Sequence, residues 1–174
     1  MNIHPIIVHF PIAFLFIWSL CEIFPVEKWF SNANWKSIKN FLVIVGFLGA
    51  VVARATGENA EHLLGVSDQN FRNLIETHST FAGISTFLFG IFAIEIVLRF
   101  LISRFEIYYS KLGILKKLID FILKILEIKS IRIILAICAL VAIFTTGLLG
   151  GVIVYGPNLD PLTPYVLKIL GISL

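Results

Sequence analysis

Pro5 to Phe24 is a twenty-residue run in which His9 is the only strongly polar group ahead of Glu22. A run of about 20 residues, rising about 1.5 Å per residue as a helix, crosses the hydrocarbon core of a bilayer. The opening of this chain is therefore a membrane span before anything else is known about it. The ionisable side chain inside it has to find a partner that lipid does not offer, which makes His9 a candidate functional group.

Three further apolar runs follow, at about 41–56, 78–102 and 131–155. With 58% of residues apolar and 14% charged, the chain lies outside the usual composition of soluble domains, which are near half apolar and a quarter charged. These features predict an all-α integral membrane protein: a four-helix bundle built as a single domain over residues 1–174. The formal charge of +3 does not point to nucleic acid, because the Lys and Arg residues sit beside the spans, where topology accounts for them. No Lys or Arg precedes the first run, and it is longer than the apolar core of a signal peptide, so it is expected to be retained as a helix.

Within the first run, Pro5 lies where a helix tolerates proline, and Pro11 is expected to kink the first turns and release a carbonyl near His9. Trp29 and Trp35, with Lys28, Lys36 and Lys39, read as an interfacial connection. The second helix is expected to continue beyond the apolar run through GENAEHLL, which has no breaker between Gly57 and Gly65. Ser67 is the expected N-cap of the third helix. Between about 111 and 127, Lys116, Asp120, Lys124 and Glu127 share one side, with Leu115, Leu118, Ile119, Ile122 and Leu126 on the other. That pattern predicts an additional interfacial helix on the cytoplasmic side. Pro157, Pro161 and Pro164 break up the apolar tail.

Orientation follows from the cations. The first and third connections are basic, whereas 57–77 has Arg72 alone against Glu58, Glu61, Asp68 and Glu76, which places both termini outside. His4, His9, His62 and His78 then share the outer face. Cys21 and Cys138 fall toward the cytoplasmic ends, where ordinary packing is expected rather than a disulfide.

HPIIVHFPIA at 4–13, ARATGENA at 53–60, the pair Glu76 and His78, and GLLGGVIVYG at 147–156 resemble the bacterial membrane proteins grouped as domain of unknown function 2231. The resemblance covers most of the chain apart from the 103–130 connection and the tail. It implies a four-helix domain of the bacterial inner membrane, joined in some relatives to cytochrome-like or other redox modules.

Helices one and three of an alternating bundle run in the same direction, so His9 and His78 can face each other at similar depth. Opposed imidazoles suit the two axial positions of a b-type haem. Without a CxxCH motif that haem would be non-covalent, and Arg54 is suited to a propionate. His4 and His62 are candidates for a second site or for outer contacts. This reading makes the protein an electron-transfer subunit with a redox partner on the outer face, alone or as a homo-oligomer. A competing reading makes His9 and His78 ligands of a transition metal, joined by Glu58, Glu61 or Glu76, for binding or transport. However, His4 and His9 are about 140° apart on a helix, so they share no face if both are helical. A third reading is a structural subunit without a cofactor. The bland roles are a capping or solvated His4, a solvated His62, a snorkelling Arg54, neutralisation of Glu95 by Arg99, and close helix approach at Gly147, Gly150 and Gly151. There is no nucleophile elbow, HExxH or phosphate-binding loop to mark a hydrolase or nucleotide enzyme.

Overall fold

A computed structural model of the chain describes residues 3–64, 68–158 and 161–174; the side chains of residues 59–64 lie outside that description. The backbone amides and carbonyls of a span have no water to bond, so each span must satisfy them internally, and helices do this within one segment. The chain is 84% helical, with no strand among the described residues. In order it forms α1 (His4–Ile7), α2 (His9–Ile23), α3 (Val26–Trp29), α4 (Trp35–Leu64), α5 (Gln69–Arg104), α6 (Glu106–Ser110), α7 (Ile114–Glu127), α8 (Lys129–Tyr155) and α9 (Thr163–Ile169). Four stretches are long and apolar enough to cross a membrane: His4–Ile23, Trp35–Glu58, Gln69–Arg104 and Lys129–Tyr155.

Several local expectations can be compared with these helices. Pro11 has no amide proton for the Ile7 carbonyl, and the helix is interrupted at Val8, between α1 and α2. The interruption is slight, because Val8 N–H still donates to the His4 carbonyl at 3.1 Å and Ile12 N–H to Val8 at 3.2 Å. Helix α4 does continue through GENAEHLL, to Leu64. The N-cap of α5 is Asp68, whose Oδ1 accepts from Asn70 N–H at 2.9 Å; Ser67 lies outside the described residues. Helix α7 starts at Ile114 rather than at Lys111, because Gly113 at φ 54° takes a conformation that breaks the helix and that side chains disfavour. The proline-rich tail is not shapeless. Helix α9 starts around Pro164 and buries Thr163 and Leu167, the latter in a small cluster with Leu74, Leu149 and Val152.

The long helices form a ring in which α2 touches α4 and α8, and α5 touches α4 and α8, so α2 and α5 are diagonal partners. Inward positions of α2 recur as Pro11, Leu15, Trp18 and Ser19. Trp18 crosses the bundle to meet Phe89 edge-on at 5.7 Å and Phe92 at 4.6 Å. Small residues let the helices close around it, with Ala136 and Ala139 of α8 fully buried. Outward-facing Phe10, Phe87, Phe100 and Ile134 are each at least 60% exposed, a surface suited to lipid rather than water. Of the cysteines, both free, Cys21 packs inside, whereas Cys138 faces outward and so departs from the core packing expected of it.

A tight contact between α2 and α4 gives a test of this packing. A Cβ added at Gly46 would lie 2.6 Å from Leu15 Cδ2 and 2.7 Å from Leu15 Cγ, and Leu15 is fully buried. Gly46→Ala is expected to cost about 1–3 kcal/mol through overpacking. At Gly147 the nearest atom, Ile12 Cδ1, is 3.8 Å away, an ordinary contact. Unfolding midpoints in detergent should therefore fall for Gly46→Ala and not for Gly147→Ala; equal midpoints would refute the contact.

At one end the bundle is tied by ions. Arg132 of α8 donates to Glu22 of α2 through Nε at 2.8 Å and to Glu95 of α5 through Nη1 at 2.7 Å. Arg99 donates to Glu95 at 2.9 Å and to Glu127 of α7 at 2.9 Å, and Lys39 of α4 lies 3.3 Å from Glu22 and 2.8 Å from Glu27. Every spanning helix thus contributes a charge. The Lys39 ammonium holds the Glu27 carboxyl below the usual carboxylate range. The small contribution of that exposed pair is complete above the ordinary carboxylate pKa and fades as the pH falls through the lowered one.

Candidate functional site

The other end of the bundle gathers its histidines, and the grouping follows from helical register. Counting back from Leu15 and Pro11 by four and seven residues brings His4, not His9, to the inward face of the first span. His4 is half-buried, and its Nδ1 lies 3.0 Å from Thr56 Oγ1 of α4. Thr56 donates its own hydroxyl proton to the Ala53 carbonyl at 2.9 Å, so its oxygen accepts from His4 Nδ1–H. Across the ring, His78 of α5 places Nδ1 at 3.0 Å from the Thr146 carbonyl of α8. A carbonyl can only accept, which fixes the proton on His78 Nδ1 and leaves the lone pair on Nε2.

Glycines make room for both rings. A Cβ at Gly57 would lie 3.1 Å from His4 Cε1, and one at Gly150 would lie 3.2 Å from His78 Cε1, so each imidazole rests directly against a helix backbone. His4 and His78 thus lie on diagonal spans, each anchored to the helix beside it.

The expected pairing of His9 with His78 is not what the structure shows. His9 is exposed, and its Nδ1 bonds the Pro5 carbonyl of its own first turn. The physical reason is the 140° offset: a helix that turns His4 inward turns His9 outward, toward lipid. Arg54 is exposed, and its guanidinium reaches across to α5, 3.8 Å from the position a Cβ would take at Gly83, one and a half turns beyond His78. Glu58 and Glu76 are exposed. The side chains of Glu61 and His62 lie outside the described residues. Among the described residues no three His, Cys, Asp or Glu side chains come together as a metal site.

Sequence reasoning missed two members of this site and, apart from the Glu95–Arg99 pair, the ion network. Thr56 and Thr146 look like ordinary helix residues until the fold sets them beside imidazoles. Their signal in sequence is the small-residue context, Thr56-Gly57 and Thr146-Gly147.

Residues 1–159 match the family model described as predicted membrane protein, DUF2231. The matched range takes in the 103–130 connection, which the motifs quoted above do not reach. No curated protein and no solved structure matches the chain.

Proposed function

The chain belongs to the DUF2231 family of predicted membrane proteins, and from that premise we propose that it is a haem b-binding protein acting as an electron-transfer subunit. The observation that supports the reading is that His4 and His78, on diagonal spans, each have Nδ1 engaged by an oxygen of the neighbouring helix. A hydrogen bond at Nδ1 sets the ring's orientation and raises the basicity of Nε2, the arrangement seen in coordinating imidazoles. Two imidazole nitrogens would suffice as the protein's ligands to a haem iron, which brings four porphyrin donors of its own. His4 and His78 would hold the group, Thr56 and Thr146 would orient the ligands, and Arg54 offers a guanidinium to a carboxylate. With two histidine ligands a haem b supplies one-electron transfer at a potential set by burial and ligation.

The same two imidazoles are a thinner basis for zinc or copper, which would need further protein donors, and Glu58 and Glu76 point outward. The cation distribution supports a topology with both termini and the histidine end on the outer side of a bacterial cytoplasmic membrane, where a redox partner would dock. The apolar exposed residues Leu115, Leu118, Phe121 and Ile122 support α7 as a helix resting at the opposite interface.

The test is an absorption spectrum of detergent-purified protein, oxidised and dithionite-reduced, with metal analysis of the same sample. A Soret band with sharp reduced α and β bands and one iron per chain is the expected result. A colourless protein from haem-replete cells sinks the proposal, and one carrying stoichiometric non-haem metal favours the competing reading.

A further inference from the structure

At the end of the bundle away from the histidines, a groove of about 440 Å³ opens between the last turns of α5 and the α7 helix. Its position sets its surroundings. Helix α5 is leaving its apolar span at Arg99 to Arg104, and α7 alongside exposes Leu115, Leu118, Phe121 and Ile122. Such a groove lies where lipid-facing surface gives way to polar chain, the depth of lipid headgroups.

The polar lining consists of Arg99, Lys124, Asp120, Glu127 and Ser103 over the apolar side chains of Ile102 and Leu123. Two cations and two carboxylates give a formal charge of 2 − 2 = 0, so the groove as a whole favours neither an anion nor a cation. Its charges are not equally engaged. Arg99 is consumed internally, donating to Glu95, to Glu127 and, through Nη2, to the Leu123 carbonyl at 3.1 Å. It stiffens the wall and is not available to a ligand. The exposed Lys124 ammonium makes no hydrogen bond or ion pair among the described residues, so it is the cation on offer.

The acceptors are equally specific. Asp120 gives Oδ1 to the Tyr109 hydroxyl at 2.7 Å, which fixes the carboxylate and leaves Oδ2. Glu127 gives Oε1 to Arg99 and keeps Oε2. Ser103 donates its proton to the Phe100 carbonyl at 2.8 Å, so its oxygen can only accept. One cation stands near three acceptors. A phosphate matches the first, and a primary ammonium, with three N–H donors, matches the second.

We propose that this groove binds the headgroup of a phosphatidylethanolamine-type lipid, its phosphate on Lys124 and its ammonium among Asp120, Glu127 and Ser103, with its acyl chains against the exposed apolar side of α7. The proposal is independent of the haem reading. A choline headgroup has no N–H for the acceptors, and a glycerol headgroup brings neutral hydroxyls but no positive charge to the two carboxylates.

Native mass spectrometry of the full chain in mild detergent, titrated with palmitoyl-oleoyl phosphatidylethanolamine, phosphatidylcholine and phosphatidylglycerol, tests it. One ethanolamine lipid is expected to bind at least tenfold more tightly than either alternative. Asp120→Asn, which keeps an acceptor for the Tyr109 hydroxyl, and Lys124→Gln, on the surface, should each reduce that binding at least tenfold while the unfolding midpoint stays within a few degrees. Equal binding of the three lipids, preference for phosphatidylglycerol, absence of a bound lipid, or unchanged binding in both variants would overturn it.

Discussion

His4→Ala and His78→Ala are each expected to abolish haem retention, whereas His9→Ala leaves it at the level of the unsubstituted protein. A bis-histidine site loses an axial bond with either change, and non-covalent attachment provides no tether to keep the group in place. His9 escapes because its ring lies on the outside of α2, bonded to the Pro5 carbonyl of α1 one turn back. Thr56→Val adds a graded case: it keeps the bulk and removes the oxygen that anchors His4, and loss of such a partner typically weakens metal affinity about 10–100-fold. The readout is the Soret absorbance per polypeptide after purification, beside an unfolding curve that shows each variant folded. Full occupancy in both His4→Ala and His78→Ala refutes the assignment. Loss confined to His9→Ala would mean that the first helix turns its other face inward.

Arg132→Met is expected to be the most destabilising single change, by about 3 kcal/mol or more, since removing one partner of a buried ion cluster leaves charges without compensation. Arg132 bonds Glu22 and Glu95 at once, and Glu95 is only 5% exposed. Lys39 and Arg99 retain part of the field on those carboxylates, so the loss stays short of what a lone buried charge would cost. Adding Glu22→Gln should recover part of the stability, because it removes one of the carboxylates left behind. Arg132→Lys should recover less than a simple charge count suggests, since a single ammonium lacks the fork that reaches two carboxylates. Denaturant or thermal unfolding in detergent measures all three. A cost below about 1 kcal/mol for Arg132→Met would mean that the network is ornamental, as many exposed ion pairs are.

How far the chain could be read in advance differs from residue to residue. His78 was recognisable because a histidine at the start of a long span stands out against apolar neighbours. His9 is the histidine that span depth singles out, but the offset of about 140° cannot say which of His4 and His9 is inward without the inward face of α2. The repeat of Pro11, Leu15 and Trp18 carried that information, and extending it backwards selects His4. The Glu95 and Arg99 pair was visible as neighbours one turn apart, while Arg132 and Glu22, separated by 110 residues, gave no sign of meeting. The cap expected from the sequence, Ser67, and the one the structure shows, Asp68, are neighbours, a single residue of register apart.

The sequence by itself determined that this chain is an all-helical membrane protein with four long apolar spans. That outcome is local: within lipid each span must close its own backbone hydrogen bonds, whatever its neighbours do. Tertiary structure alone decided which histidine of the first span turns inward. It also decided that Thr56 and Thr146 would hold the rings, that charges from every spanning helix would meet at the opposite end, and that a polar groove would open beside α7. These depend on the rotation of each helix about its axis, and rotation is settled by how Trp18, Leu15 and the glycines and alanines of facing helices fit together. Composition and spacing fix the length and polarity of a helix, but a neighbour is needed to say which side of it is inside.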